Sequence, residues 1–364
     1  MRGLLATAAV LHTHTSMDGS FSLERKLDNG ITVYGSPDAS TQIEAVVNEY
    51  THLWEDHGNA VDIPEKEWMD IPLLDDWREK YKPGQARVYS LEANDRDQVD
   101  KAFDKLHEQD RMEWTNSATP FSFPCFVVWR TLPDNTRKGR VVVDIRALNK
   151  ISMPDAYPVP SQADILAAVQ GAKFISTVDC SAYFYQWRVN SEHRHRLTVA
   201  SHHGQETFKV AVMGYRNTPA YVQRMTDRIL RPHREYSRAY VDDIVIYSGT
   251  LSEHIRHLRQ VFDELASKGI ALAPEKSFLG YPSVQLLGQR VDALGLATSE
   301  AKLVAITNLE FPRTLTQLEK YLGMTGYLRQ YIPHYAAIIK PLQLRKTLLN
   351  QRLRRDHGAT GRNG

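Results

Sequence analysis

The stretch Ala239-Tyr-Val-Asp-Asp-Ile-Val-Ile-Tyr247 constrains this chain more than any other. Apolar, β-rich triplets flank an adjacent acidic pair, the pattern of a hairpin with Asp242 and Asp243 at its turn. Neighbouring carboxylates repel by about 1 kcal/mol in water and about 4 kcal/mol at an intermediate dielectric. A turn without a function would favour Asp-Gly or Asn-Gly, because those residues accept φ > 0. A bound cation is one reason to tolerate the repulsion, although Asp is common in turns for its backbone hydrogen bonding alone. Phe174-Ile-Ser-Thr-Val-Asp179 adds a second element, a buried strand that ends in a carboxylate. Three acids on neighbouring strand ends, Asp179, Asp242 and Asp243, can hold two Mg²⁺ ions, which prefer hard oxygen ligands and keep open positions for phosphates.

With Asp179 upstream, Tyr240-Val-Asp-Asp243 resembles the active site of a reverse transcriptase. The surrounding sequence resembles the pol polyprotein of Gypsy-type LTR retrotransposons, fungal ones in particular, from about Tyr81 to Leu342. The resemblance implies an α/β (α+β) right-hand polymerase, with fingers and an antiparallel-sheet palm over residues 81–295 and a helical thumb over 296–345. Residues 1–80 then read as a poorly defined arm and 346–364 as a basic, disordered tail. The implied activity is RNA-directed DNA polymerisation, extending a primer on an RNA or DNA template by two-metal nucleotidyl transfer. The implied cofactor is a pair of Mg²⁺ ions, with Mn²⁺ as a substitute. Their ligands would be Asp179, Asp242, Asp243 and the backbone carbonyl of Cys180. The partners would be an RNA template, a DNA primer–template and deoxynucleoside triphosphates.

Composition bounds the rest. Lys and Arg number 45 against 43 Asp and Glu, so any basic surface for nucleic acid must be local. Two cysteines, Cys125 and Cys180, exclude a disulfide framework and suit a reducing, intracellular setting. No apolar run approaches the roughly 18 residues of a membrane span. The apolar run Gly3 to Leu11 after Arg2 lacks a small-residue cleavage site and reads as an ordinary element start.

Residues 1 to about 80 lack clear periodicity. Asn94 is expected to open a helix whose apolar face is Val99, Phe103 and Leu106. Phe126 to Trp129 and Arg140 to Asp144 follow as strands around a polar loop, Arg130 to Gly139, with Arg130, Arg137, Lys138 and Arg140 clustered for a triphosphate. Arg140, heading Arg140-Val-Val-Val-Asp-Ile-Arg-Ala-Leu-Asn149, matches the family's triphosphate-gripping arginine, and Arg130 and Lys138 are both candidates for its upstream lysine. Ser161 caps a helix through Gln170, with Gly171 beyond it. The segment after Asp179 reads as strand, and Phe184 matches the aromatic that packs under the sugar and excludes a 2′-hydroxyl.

Val210-Ala-Val-Met-Gly-Tyr-Arg-Asn-Thr-Pro-Ala-Tyr-Val-Gln223 resembles the family's nucleotide- and template-contacting segment. It contributes Met213 and Gly214 to the nucleotide and Asn217 and Pro219 to the primer–template, as Tyr240 does. Gly214 permits close backbone approach, and Asn217 is placed to cap a helix to Leu230. Val212-Met213 departs from the Pro-Phe or Pro-Gln of many relatives, which removes a glutamine hydrogen bond. Ser252 is expected to cap a helix carrying Ile255, Leu258, Phe262 and Leu265, closed by Gly269. His254 and His257 on it, and the pair His202-His203 in a turn, read as surface histidines. Pro274-Glu-Lys-Ser-Phe278 matches the family's lysine motif, making Lys276 the candidate acid for the departing pyrophosphate. Leu286-Leu-Gly288 matches the primer-grip turn. Helices are expected over Leu303 to Leu309 and Leu315 to Leu328.

No protease, zinc-knuckle, RNase H or integrase motif is present, so the chain reads as the polymerase piece of a retrotransposon, ending before RNase H. Two other readings stay open: an inactive or co-opted fragment that binds RNA or a partner, and an RNA-synthesising polymerase on the same palm. The intact acids oppose the first and Phe184 opposes the second.

Overall fold

The computed structural model describes residues 23–58, 60–83, 88–132, 135–286, 289–292, 295–298, 311–326 and 334–360. They fall into two compact units, Met1–Val284 with Val291–Gly295, and Gln285–Arg290 with Leu296–Gly364. The first unit begins with β1 (Glu24–Lys26), β2 (Thr32–Tyr34), α1 (Pro37–Glu49), α2 (Trp77–Lys80) and α3 (Ala93–Glu108). Next come β3 (Met112–Trp114), β4 (Phe123–Thr131), β5 (Arg137–Val143), α4 (Arg146–Ile151), α5 (Gln162–Val169) and β6 (Phe174–Cys180). It continues with β7 (Thr198–Ser201), β8 (Gly204–Phe208), α6 (Thr218–Ile229), β9 (Ser237–Tyr240), β10 (Asp243–Ser248), α7 (Leu251–Ser267) and β11 (Leu272–Tyr281).

Two sheets carry this unit. Six strands run in the order β1-β2-β11-β6-β10-β9, and five in the order β3-β8-β7-β4-β5. The first is antiparallel except between β11 and β2, the second except between β4 and β7. This is the mixed α+β architecture expected.

Helix α7 backs the six-stranded sheet. A capping box between Thr250 and Glu253 opens it, and Ile255, Leu258, Phe262 and Leu265 bury one face at helical spacing. The cap is therefore Thr250 and not Ser252, because only Thr250 precedes a glutamate three residues on. Helix α1 packs beside α7, and Gly280 on β11 makes room for it. With φ at +78°, Gly280 would carry a Cβ only 2.4 Å from Ile43 Cδ1 and 2.8 Å from the Tyr34 carbonyl oxygen.

Several expectations need correction. From Leu23 onward the N-terminal region is no arm: β1 and β2 extend the six-stranded sheet, and Ile31, Val33, Ile43, Val46 and Val47 lie in the core. Trp54 is buried edge-on to Phe262, ring centroids 5.5 Å apart. In this region β1 and β2 are three residues each, too short to show a period. Helix α3 starts at Ala93 with Glu92 at its N-cap, although its face of Val99, Phe103 and Leu106 is buried as read. Strands β4 and β5 run further toward their connection than expected, so Arg130, Arg137 and Lys138 sit on the ladder. Tyr183–Gln186 is a 3₁₀ turn, not strand.

His254 is fully buried, its two ring nitrogens 2.7 Å from Ser176 Oγ and 2.9 Å from Ser248 Oγ. His257 reaches the same Ser248 and stacks on Tyr236 at 3.8 Å. These histidines tie α7 to β6 and β10, so the surface assignment fails.

The second unit contains α8 (Leu315–Gly326) and α9 (Tyr335–Thr360), whose core is Leu318, Leu322 and Ile339 with Tyr321, Tyr335 and Leu342 against it. The basic tail is not disordered through Thr360: it continues α9, in keeping with the helix propensity of its Leu, Arg, Lys and Gln. The helix expected over 303–309 and the Gly288 turn lie outside the described residues. No described helix is long and apolar enough to cross a membrane.

Candidate active site

The register of the six-stranded sheet assembles the acids. Asp243 on β10 lies opposite both Asp179 on β6 and Tyr240 on β9, and Asp179 lies opposite Ala273 on β11. Opposed residues of antiparallel strands project to the same side, so Tyr240, Asp243 and Asp179 form one row across the sheet. The hairpin turn itself is Val241-Asp242, and Asp243 already begins β10. Val241 carries the positive φ, +57°, a strained value for a β-branched residue.

Four hydrogen bonds brace that turn. The Val241 N–H donates to Gln223 Oε1 at 2.8 Å. Gln223 Nε2 donates to the Ala239 carbonyl at 3.1 Å and to Asp227 Oδ1 at 2.9 Å. The Cys180 N–H donates to the Asp242 carbonyl at 2.8 Å, tying the end of β6 to the turn. Gln223 is wholly buried on α6.

Burial raises the carboxyls of Asp179 and Asp242, and Lys276 opposes the rise at both. Asp243 is pushed up to about 8, by burial first and then by the charges of Asp242 and Asp179. Lys276 Nζ stands 2.9 Å from Asp179 Oδ1. A break in the β11–β6 register between Ala273 and Phe278 re-aims it, where Pro274 has no N–H for the ladder. Among the described residues the oxygens of the three acids do not all gather within 4.8 Å. The donor set fits a hard divalent cation: it offers carboxylate oxygen, while the Cys180 thiol is buried and held well above its ordinary range.

A cavity of about 430 Å³ opens on this row, lined by Asp179, Asp242, Lys276, Arg140, Phe184 and Met213 among others. The residues expected to handle the metals, triphosphate and sugar therefore meet at one place. Asp243 is buried and does not line it. Arg140, on β5, contacts the Met213 sulfur, and Phe184 is half-buried with its body against the core. A larger cleft of about 760 Å³, around Trp77, Tyr81, Phe121 and Arg196, contains none of the three acids.

Arg130 and Lys138 oppose each other on the ladder beyond the Val128–Arg140 pair and do not line the cavity. Tyr240 is half-buried in the acid row and does not line it either. Gly214, with φ at +92°, has its carbonyl held by Asn149 Nδ2 at 2.8 Å, while Asn149 Oδ1 accepts the Arg216 N–H at 2.8 Å. Asn217 precedes α6 but does not cap it with its side chain. Its Oδ1 accepts the Asp155 N–H at 3.0 Å and its Nδ2 donates to the Met153 carbonyl at 2.8 Å, so the amide is used inside the protein. Pro219 is half-buried in the first turn of α6. Sequence reasoning gave no role to Gln223 or Asn149. Both close motif runs it had singled out, and that terminal position was the available signal.

Sheets and acid row together are those of a right-hand polymerase. Residues 132–291 match the family model described as reverse transcriptase (RNA-dependent DNA polymerase). The chain carries a reverse transcriptase domain of the kind found in retrotransposon and retroviral Pol polyproteins. It is 32% identical over 262 residues to the retrovirus-related Pol polyprotein from transposon opus of Drosophila melanogaster, covering 71% of this chain and 26% of that protein. It is 31% identical over 284 residues to the enzymatic polyprotein of Cauliflower mosaic virus (strain Strasbourg), covering 76% of this chain and 40% of the relative. The chain thus spans well under half the length of these relatives. The fold matches the dRH form of the foamy viral protease-reverse transcriptase in complex with double-stranded DNA at a TM-score of 0.73, and the protease-reverse transcriptase in complex with an RNA/DNA hybrid at 0.71. Both are 24% identical and cover 85% of this chain, and 52% and 40% of theirs.

Proposed function

We propose that the chain is an RNA-directed DNA polymerase that extends a primer on an RNA or DNA template, from a Gypsy-type LTR retrotransposon of fungal type. The observation that carries this reading is the meeting of Asp179, Asp242, Lys276, Arg140 and Phe184 around one cavity, with Asp243 in register with Asp179. The similarity to Pol polyproteins of two Drosophila transposons supports the element type. In this reading the six-stranded sheet is the palm, the five-stranded sheet the fingers, and α8 with α9 the thumb.

Asp179, Asp242 and Asp243, with the Cys180 carbonyl, would hold two Mg²⁺ ions, which when bound lower the pKa of the primer 3′-hydroxyl and neutralise charge developing on the triphosphate. Arg140 grips the triphosphate by charge-assisted hydrogen bonds, with Arg130 and Lys138 further along the same hairpin. Lys276 supplies a proton to the departing pyrophosphate. Phe184 packs under the sugar, and Met213 and Gly214 border the base. Tyr240 and Pro219 take the primer–template side, and Asn217 fixes the chain at Met153 and Asp155 beside it. Recognition of the duplex rests on phosphates and 2′-hydroxyls, since any sequence must be copied.

Primer extension tests the reading. The full chain, a DNA primer on an RNA template, deoxynucleotides and Mg²⁺ should give extended product, and chelation should abolish it. No extension with Mg²⁺ or Mn²⁺, by folded protein that binds the hybrid, would favour the inactive, RNA-binding reading instead.

A further inference from the structure

We propose a second cation site, for zinc or a similar borderline divalent ion, at Asp100, His202 and His203 on the five-stranded sheet. The chain brings these residues together through two elements. Strands β7 and β8 pair Ser201 with Gly204, so the histidines form the tight turn between them. Gly204, with φ at +126°, lets that turn close. Asp100 comes from α3, which packs on the same sheet.

The spacing is that of a ligand set. His202 Nε2 lies 2.9 Å and His203 Nε2 3.3 Å from a single atom, Asp100 Oδ1. All three side chains bring a ligand atom within 4.8 Å of the others, and no other group does so among the described residues. Metal–ligand bonds of about 2.0–2.1 Å at tetrahedral angles separate neighbouring ligand atoms by about 3.3 Å. Two imidazoles with one carboxylate favour zinc over magnesium or calcium, which prefer all-oxygen shells.

A second observation separates this cluster from an ordinary ion pair. Asp100 Oδ1 is closed off from solvent, yet no hydrogen bond of acceptable geometry reaches it, although two nitrogens lie within 3.3 Å. The His202 Nδ1 is likewise enclosed and without a partner. A buried acceptor left unpaired is costly, and a cation between the three atoms would give Oδ1 its partner. His203 and Asp100 remain more than one third exposed, so water has access to a fourth position. None of the three residues lines the catalytic cavity. The ion would clip α3 to the β7–β8 hairpin, stiffening the sheet that also carries Arg140 on β5.

The test is zinc titration of the full chain, stripped with chelator and held in excess Mg²⁺ so that the catalytic acids do not compete. Co²⁺ serves as the spectroscopic reporter of coordination. One equivalent of Zn²⁺ should bind, and Co²⁺ should give the visible bands of a low-coordinate nitrogen–oxygen site. His203→Ala and Asp100→Asn, both on the surface, should each weaken Zn²⁺ binding by more than the about 10- to 100-fold that outer-shell changes cost. Asp242→Asn should leave it unchanged. If the wild type binds no zinc, or both surface variants bind it as tightly as wild type, the cluster is a carboxylate shared by two imidazoles and the proposal fails.

Discussion

The Gln223 side-chain oxygen accepts the Val241 N–H at 2.8 Å, bracing the residue that bears the positive φ of the acidic turn. A buried amide on α6 thus fixes the backbone from which Asp242 projects. Gln223→Leu removes that acceptor and leaves the half-buried Val241 N–H unpaired, at a cost of about 1–3 kcal/mol. The deoxynucleotide incorporation rate should fall about 5- to 150-fold, since each 1.4 kcal/mol is a factor of about ten. Primer–template affinity should stay near wild type. Gln223→Glu retains the accepting oxygen and should fall in between. Wild-type rates from folded Gln223→Leu would mean that the turn holds itself.

Phe184 lines the cavity beside Asp179 and Arg140. In the proposed function its ring fills the space of a 2′-hydroxyl, and overfilling a packed site costs roughly 1–3 kcal/mol. Phe184→Val should therefore raise the ratio of kcat/KM for ribonucleotides over deoxynucleotides by roughly 5- to 150-fold. A purely structural ring would lower thermal stability and leave that ratio where it was.

Asp243 links the site to stability. Its carboxyl is pushed up to about 8 from an ordinary 3.8. Between those values the folded chain keeps a proton that the unfolded chain has lost, so stability falls as pH rises from about 4 to about 8. Asn has no such proton to lose. In magnesium-free buffer Asp243→Asn should melt above wild type at pH 8, by at least the about 2–4 °C that one kcal/mol gives in a domain of 150–250 residues. The margin should close as pH falls toward 4. A margin independent of pH would show that burial of this carboxylate is not the cause.

The acid row was legible because Asp179 and the Asp242–Asp243 pair sit at the ends of β-rich runs, where alternation and charge mark both strand and terminus. The same local signals exposed the faces of α3 and α7. What they could not show was pairing across long sequence separations. Residues 23–80 looked like an arm because β1 and β2 are three residues each and gain their place only by β2 lying beside β11. His254 looked like a surface residue because Ser176 and Ser248, its buried partners, come from two strands brought together by the fold. Val241 took the strain expected of the acidic pair itself, and the glutamine that makes this tolerable lies on a separate helix.

Asp242→Asn puts the metal-binding carboxylates themselves to the test. Asn keeps the shape of Asp242 and removes the charge a divalent ion needs, while the backbone contact to Cys180 is untouched. Single-turnover incorporation and primer–template affinity should be measured side by side in wild type and variant, on an RNA template with Mg²⁺. Synthesis should be abolished while affinity for the hybrid and the melting temperature stay close to wild type. Extension at the wild-type rate by the purified variant would contradict the assignment of Asp242, and with it the catalytic site.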